Sequence, residues 1–256
     1  AGLAKVGKKV VVYAISPFVT QRCFEQIKVD LCISKIPVII VGSGSTFTYA
    51  FHGPTHQAIE DIAVMRSLPN IDIINPCDNN SAKTSLDIAL KSKNPSYIKL
   101  DKGFFDDVYK SSKFNTGLKI IKKGKKIVIF STGYMTQKGI ELVKNLKEKK
   151  LKVTLVDVFK LKPFNKLLAK KIISKANLIV TLEEQNILGG LGSIISEVIA
   201  ENEIKVKLLK FGIYDNYAKL YGDRNWLHNY HKIDIKNIEK TILKKINNKN
   251  GFRIKK

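Results

Sequence analysis

Ile36-Pro37-Val38-Ile39-Ile40-Val41 is a continuous apolar run that breaks into Gly42-Ser43-Gly44-Ser45, with Gly53-Pro54-Thr55-His56-Gln57 a short way beyond. A run that is apolar at every position reads as a strand buried on both faces, the condition of a parallel sheet. Such a strand delivers the loop that follows it to an open edge. Gly53 frees the backbone there, and Pro54 stiffens the approach to His56. Histidine is the side chain whose ordinary titration lies nearest physiological pH, so a glycine-lined histidine loop reads as a hydrogen-bond donor or acid/base element. A second reading of the same residues makes His56 the neighbour of a Thr55 helix cap, with the helix running on through Ile59, Ile62, Ala63 and Met65.

Working outward, strands and helices alternate. Strands are expected at 10–15, 36–41, 71–74 and 96–100. Helices are expected at 24–33 (Phe24, Ile27, Val29 and Leu31 inward), at 56–67 before Pro69, and at 81–91. Residues 103–123, with Gly103, Gly117 and Gly124, break the rhythm and mark a domain boundary. A second alternating block follows, with strands at 126–130, 153–158, 178–182 and 206–209 and helices at 135–150, 165–176, 192–200 and 235–245. The tail 247–256 is polar and expected to fray. Strands alternating with helices imply parallel sheets covered on both faces. The fold class is therefore α/β with two domains, 1–105 and 120–248. Gly189-Gly190-Leu191-Gly192-Ser193 lacks the third glycine of a dinucleotide fingerprint. It reads as a helix N-terminus packed close to its sheet.

Among 256 residues there are 45 basic and 22 acidic side chains, a formal net charge of +23. Only Arg22, Arg66, Arg224 and Arg253 are arginine. Base reading and bidentate phosphate binding favour arginine over lysine, so the excess reads as composition first, with weak steering of anionic substrates second. No nucleic-acid or membrane partner is expected. Cys23, Cys32 and Cys77 have no CxxC spacing, which suits a reduced cytoplasmic protein.

Several stretches, in order over nearly the whole chain, resemble one family. Phe18 with Arg22-Cys23-Phe24-Glu25-Gln26-Ile27, Gly53-Pro54-Thr55-His56-Gln57-Ala58-Ile59-Glu60-Asp61 and Arg66-Ser67-Leu68-Pro69-Asn70 resemble the pyrimidine-binding domain of transketolases. Gly133-Tyr134-Met135, the segment from Val156 to Phe164, Glu183-Glu184-Gln185 with Gly189-Gly190-Leu191-Gly192, and Phe211-Gly212-Ile213-Tyr214-Asp215 resemble that family's C-terminal domain. The layout resembles that of the C-terminal section of split transketolases, and 1-deoxy-D-xylulose-5-phosphate synthase shares it. The resemblance implies a thiamine diphosphate enzyme, a transferase moving a two-carbon ketol unit between sugars. A partner chain, the N-terminal section, would hold the cofactor's diphosphate and Mg2+ in a hetero-oligomer; this chain would supply no metal ligand.

By the same resemblance Phe18 stacks on the aminopyrimidine, with Arg22 beside it in the cofactor site. His56 matches the family histidine that hydrogen-bonds the donor oxygen and the covalent enamine. His52 stands where transketolases commonly hold an aspartate that reads a sugar hydroxyl. Lys102 falls near a phosphate-binding arginine and would act as a point charge. Gly44 and Ser45 stand where relatives place a histidine or arginine. Relatives also carry a Gly-Ile-Ala-Glu-Gln stretch just before the counterpart of Ala1-Gly2-Leu3-Ala4. Its glutamate drives formation of the imino tautomer, so a first domain truncated at its N-terminus is expected, inactive in isolation, with apolar faces left unpartnered at the truncated edge. Two alternatives stand beside the transketolase reading: a scaffold or assembly subunit of the same fold, and a synthase of the deoxyxylulose phosphate type.

Overall fold

The computed structural model describes residues 1–110 and 116–247. The expected frayed tail beyond Asn247, and part of the expected boundary segment, lie outside the described residues. The first half runs α1 (Gly2–Lys5), β1 (Val10–Ile15), α2 (Ser16–Val19) and α3 (Phe24–Gln26), which continues as a π-helical stretch Ile27–Ile33. Then come β2 (Val38–Ser43), α4 (Asp61–Ser67), β3 (Asp72–Ile74), α5 (Asn79–Lys91) and β4 (Ser96–Leu100). The second half runs β5 (Leu118–Lys122), β6 (Ile127–Ser131), α6 (Tyr134–Glu148), β7 (Val153–Val158), β8 (Lys160–Lys162), α7 (Lys166–Ile173) and β9 (Leu178–Asn186). It closes with α8 (Leu191–Glu201), β10 (Lys207–Ile213), α9 (Arg224–Tyr230) and α10 (Ile235–Asn247).

The described residues form two five-stranded sheets, in the orders β1-β2-β4-β3-β8 and β10-β9-β6-β7-β5. Each is parallel except at one edge. β8 pairs antiparallel with β3, and β5 pairs antiparallel with β7. β2 is buried at every residue, as its unbroken apolar run requires. β8 belongs by sequence to the second half yet completes the first sheet. A single apolar cluster joins the sheets, taking in Val38, Ile40, Ile73 and Tyr97 from one and Val128, Phe130, Val156 and Ile179 from the other. β5 escaped the sequence reading because only Leu118 of its five residues is fully buried, the pattern of a lysine-guarded edge.

Local chemistry moves several helix ends. The Asp78 side chain accepts from the Ser81 amide while the Ser81 side chain accepts from the Asp78 amide, a capping box that starts α5 at Asn79. α9, which the periodicity did not show, is capped by Asp223 accepting from the Trp226 amide at 2.7 Å. Ile27 and Leu31 face inward as expected, whereas Val29 is exposed. At the outer strand β1, Val11, Val12 and Tyr13 are exposed. Beside it a groove of about 210 Å³ is lined by Val10, Val12, Val19, Ile27, Leu31 and Val38 among others.

The expected helix over 56–67 covers only Asp61–Ser67. The carbonyl of Ala58, which a longer helix would direct to the Ile62 amide, instead accepts from Lys99 Nζ at 2.9 Å and Gln185 Nε2 at 3.0 Å. The Ile62 amide in turn donates to Asp61 Oδ1. The loop before α4 is therefore held open by side chains from a strand and from the second half.

At Gly189–Gly192 the strand β9 runs further than the sequence suggested, through Glu183, Glu184 and Gln185. The carboxylate of Glu183 sits on the start of α8, accepting from the amides of Leu191 at 2.6 Å and Gly192 at 2.7 Å. A Cβ at Gly190 would lie 2.0 Å from that carboxylate. The helix start is thus filled by an internal anion. Burial pushes the Glu183 carboxyl up to about 7, against the opposing pull of those two amides. Its ordinary value is 4.5, so the folded chain binds this proton more tightly than the unfolded chain does. The contribution of Glu183 to stability accordingly falls as pH rises from 4.5 through about 7. Urea midpoints measured across that range should decline with pH, and Glu183→Gln should decline less steeply.

Candidate functional site

The site rests on a buried ion pair. Lys99 and Asp61 are 1% and 0% exposed, and their charged atoms are 2.9 Å apart. Lys99 Nζ also donates to Thr46 Oγ1 at 3.1 Å, and Tyr97 Oη donates to Asp61 Oδ2 at 2.5 Å. With the Ala58 carbonyl as its third acceptor, every donor of the ammonium is engaged, the condition under which a charge can be kept from water. Burial and Asp61 together push the Tyr97 phenol well up, so it stays a donor. Because Thr46, Ala58 and Asp61 bracket the loop 44–60, β4 pins that loop at three points.

A second network ties the loop to the other half of the chain. Arg224 forks onto Glu184, with Nε to Oε1 at 2.7 Å and Nη2 to Oε2 at 2.8 Å. It also reaches Asp101 Oδ2 at 2.6 Å and Ser45 Oγ at 3.2 Å. Its guanidinium stacks on the Tyr134 ring, 3.4 Å from the centroid. His228 Nε2 meets Glu184 Oε1 at 2.5 Å. Burial opposes ionisation of Glu184, but Arg224 and His228 overcome it and hold the carboxyl well below the usual carboxylate range. Glu184 also accepts from the Phe47 amide, Gln185 donates to Thr46, and the Glu184 carbonyl accepts from the Thr46 hydroxyl.

On this frame sit the residues picked out from the sequence. His52 and His56 lie side by side, ring centroids 5.1 Å apart. The Phe18 and His56 rings meet in a T-shaped arrangement, also with centroids 5.1 Å apart and at 70°. The Arg22 guanidinium lies 4.3 Å over the Phe18 ring. Tyr49, which the sequence reading missed, touches both histidines, and Lys102 Nζ lies 5.4 Å over its ring. All five expected residues are therefore gathered, and Tyr49 links Lys102 to the rest. Phe18 and His56 are half-buried, while Arg22, His52 and Lys102 are exposed. His56 is not packed away beneath the surface, and neither is it a helix-cap neighbour, since α4 begins at Asp61.

Local geometry fixes the cluster. Gly53 has φ +70°, and a Cβ there would stand 2.7 Å from the Tyr221 ring. Gly44 has φ +78°, and a Cβ there would lie 2.2 Å from the Tyr49 ring, so a larger side chain does not fit. Ser45 is engaged with Asp101 at 2.7 Å. Thr55 Oγ1 lies 2.9 Å from His56 Nδ1. With Nδ1 occupied in that contact, Nε2 is the nitrogen left to meet a ligand. Among the described residues no group of three or more His, Cys, Asp or Glu is arranged to hold a metal ion. No described helix is long and apolar enough to cross a membrane.

The supporting residues left faint signals. Lys99 interrupts the strand Ser96–Leu100, where a charge has no business unless it is paired. Glu184, Asp101 and Arg224 are far apart in sequence, and nothing in their local patterns announces that they meet.

Two α/β sheets joined by an apolar cluster, with a ring cluster beyond the carboxyl end of β2, define the class as a two-domain α/β protein, and strand ends are where open α/β sheets receive ligands. Family models of the transketolase pyrimidine binding domain and the transketolase C-terminal domain match residues 1–105 and 117–238. An apulose-4-phosphate transketolase subunit of Actinobacillus succinogenes is 34% identical over 240 residues, covering 93% of this chain and 77% of that protein. The 1-deoxy-D-xylulose-5-phosphate synthase of Caldanaerobacter subterraneus is 30% identical over 98% of this chain, which spans 40% of that longer protein. A solved structure described as a split gene transketolase, inactive beta4 tetramer, superposes with a TM-score of 0.85 at 29% identity over 95% of this chain and 78% of its own. The chain belongs to the transketolase family, of which it carries the pyrimidine-binding and C-terminal domains in that order.

Removing the ammonium of the buried pair tests the frame. Lys99→Met strands the Asp61 carboxylate, and a loss of about 3–5 kcal/mol is expected in urea unfolding. Lys99→Met combined with Asp61→Asn should recover part of that loss, because no lone charge is then buried.

Proposed function

We propose that this chain is the pyrimidine-binding and C-terminal subunit of a thiamine diphosphate-dependent transketolase that moves a two-carbon ketol unit between sugar phosphates, its active site completed by an N-terminal partner chain. The observation that carries the reading is the connected cluster of Arg22, Phe18, His56, His52 and Lys102, in which Tyr49 touches both histidines and lies under Lys102, half open at the end of the first sheet. The residues suit the cofactor. A half-buried phenyl ring supplies an apolar surface for a planar aminopyrimidine, and an adjoining imidazole supplies a hydrogen-bonding nitrogen. The family resemblance assigns the diphosphate and its Mg2+ to the partner chain. Bound thiamine diphosphate supplies the carbon nucleophile and electron sink that ketol transfer requires.

The remaining work falls to this chain's side chains. Phe18 is the ring against which the pyrimidine is oriented, with Arg22 stiffening it from one side. His56 Nε2 donates to the sugar oxygen on which negative charge builds, and the contact of Thr55 with Nδ1 keeps the ring from turning. His52 hydrogen-bonds a hydroxyl of the bound sugar. Lys102, exposed on its flexible stem, draws in the phosphate as a point charge.

Co-assembly of the full-length polypeptide with the N-terminal section, thiamine diphosphate and magnesium should give ketol transfer from a ketose phosphate donor. Absence of turnover with every ketose donor tried would sink the reading. In the active assembly His56→Ala should lower kcat by about 10²-fold or more while leaving the thermal midpoint of the chain in place, since the ring is half exposed.

A further inference from the structure

Glu60 joins three separate parts of the molecule. Its Oε2 accepts from Gln21 Nε2 at 2.9 Å, and its Oε1 accepts from the Tyr217 hydroxyl at 2.5 Å. Gln21 lies between Phe18 and Arg22 in sequence, so one arm reaches the segment that carries the Phe18 ring. Glu60 itself closes the loop that carries His52 and His56. Tyr217 comes from the second half, in the stretch between β10 and α9. That stretch is anchored at its far end by Arg224, already locked onto Glu184 and Asp101. It meets the histidine loop a second time where the Tyr221 ring packs against Gly53. The Glu60 carboxylate beside it pushes the Tyr217 phenol up from its ordinary value, which keeps the hydroxyl a donor to Glu60. No other described side chain bridges the Phe18 element, the histidine loop and the second half together through one carboxylate.

We propose that Glu60, clamped between Gln21 and Tyr217, is a positioning residue that sets the distance between the Phe18 ring and the His56 imidazole, and that the second half of the chain thereby tunes the site from outside it. The clamp touches neither reacting atom. Its action runs through geometry: a displacement of about 1 Å between oriented groups is enough to cost a large factor in rate. The kinetic consequence rests on the role given to His56 above, whereas the geometric consequence does not.

The test separates the two. Tyr217→Phe removes only the hydroxyl, and Gln21→Met removes only the amide, so neither empties a cavity. In the full chain labelled with 13C-histidine, each variant should move the ring resonances of His56, which report the ring currents of Phe18 and Tyr49. The resonances of His228 and His231 should stay in place, with His56→Gln supplying the assignment. In the assembly with the partner chain, each variant should lower kcat by roughly tenfold with KM for the ketose donor changed less than about twofold. Unmoved His56 resonances in both folded variants would overturn the clamp, whatever the activity. Shifted resonances alongside an assembly that turns over no ketose at all would uphold the clamp and refute the transketolase reading instead. Loss of all histidine dispersion in one variant would mark unfolding, and the other variant would then decide.

Discussion

The ammonium of Lys99, sunk in the first sheet against Asp61, is the constraint on which the site depends. A lysine in a central parallel strand is tolerable only if its charge and all its donors are met. Here they are met by Asp61, Ala58 and Thr46, which are the very points at which the long loop after β2 must be held. The cost of burying the charge and the need to shape the loop are settled by the same contacts. This is why α4 starts late and why His56 stays outside that helix.

The second network does for the two halves what the first does for the loop. Glu184 and Asp101 bring two carboxylates into a buried interface, and Arg224 answers both with one planar fork. His228 and the Phe47 amide complete the shell around Glu184. An arginine suits this place because its donors lie in fixed directions and its flat face can stack on Tyr134. The orientation of one half on the other is therefore set by directional contacts as well as by the shared apolar cluster, and the loop with the histidines lies where the two meet.

Much of this was legible in the chain. The unbroken apolar run of β2 announced a parallel sheet, and the alternation that followed announced two α/β units. His56 and Phe18 stood out through their loop and their family pattern, and they do meet. The rest was hidden for definite reasons. β5 is an edge strand with one fully buried residue, so no periodicity marks it. The helix before Ser67 was read too long because its first turns have ordinary helix formers, while the contacts that forbid it come from Lys99 and Gln185, distant in sequence. Tyr49 is one tyrosine among nine, and only the fold sets it between two imidazoles.

The crossing of β8 into the first sheet carries a consequence for modularity. The strand that finishes the first sheet is encoded beyond the point where the second family domain begins, paired with β3 through Ile73 and Ile74. A recombination event at the linker would hand the first unit a foreign edge or leave the ladder groups of β3 bare. The two units are interleaved rather than strung together, so lineages that shuffle this gene have reason to move both pieces as one cassette.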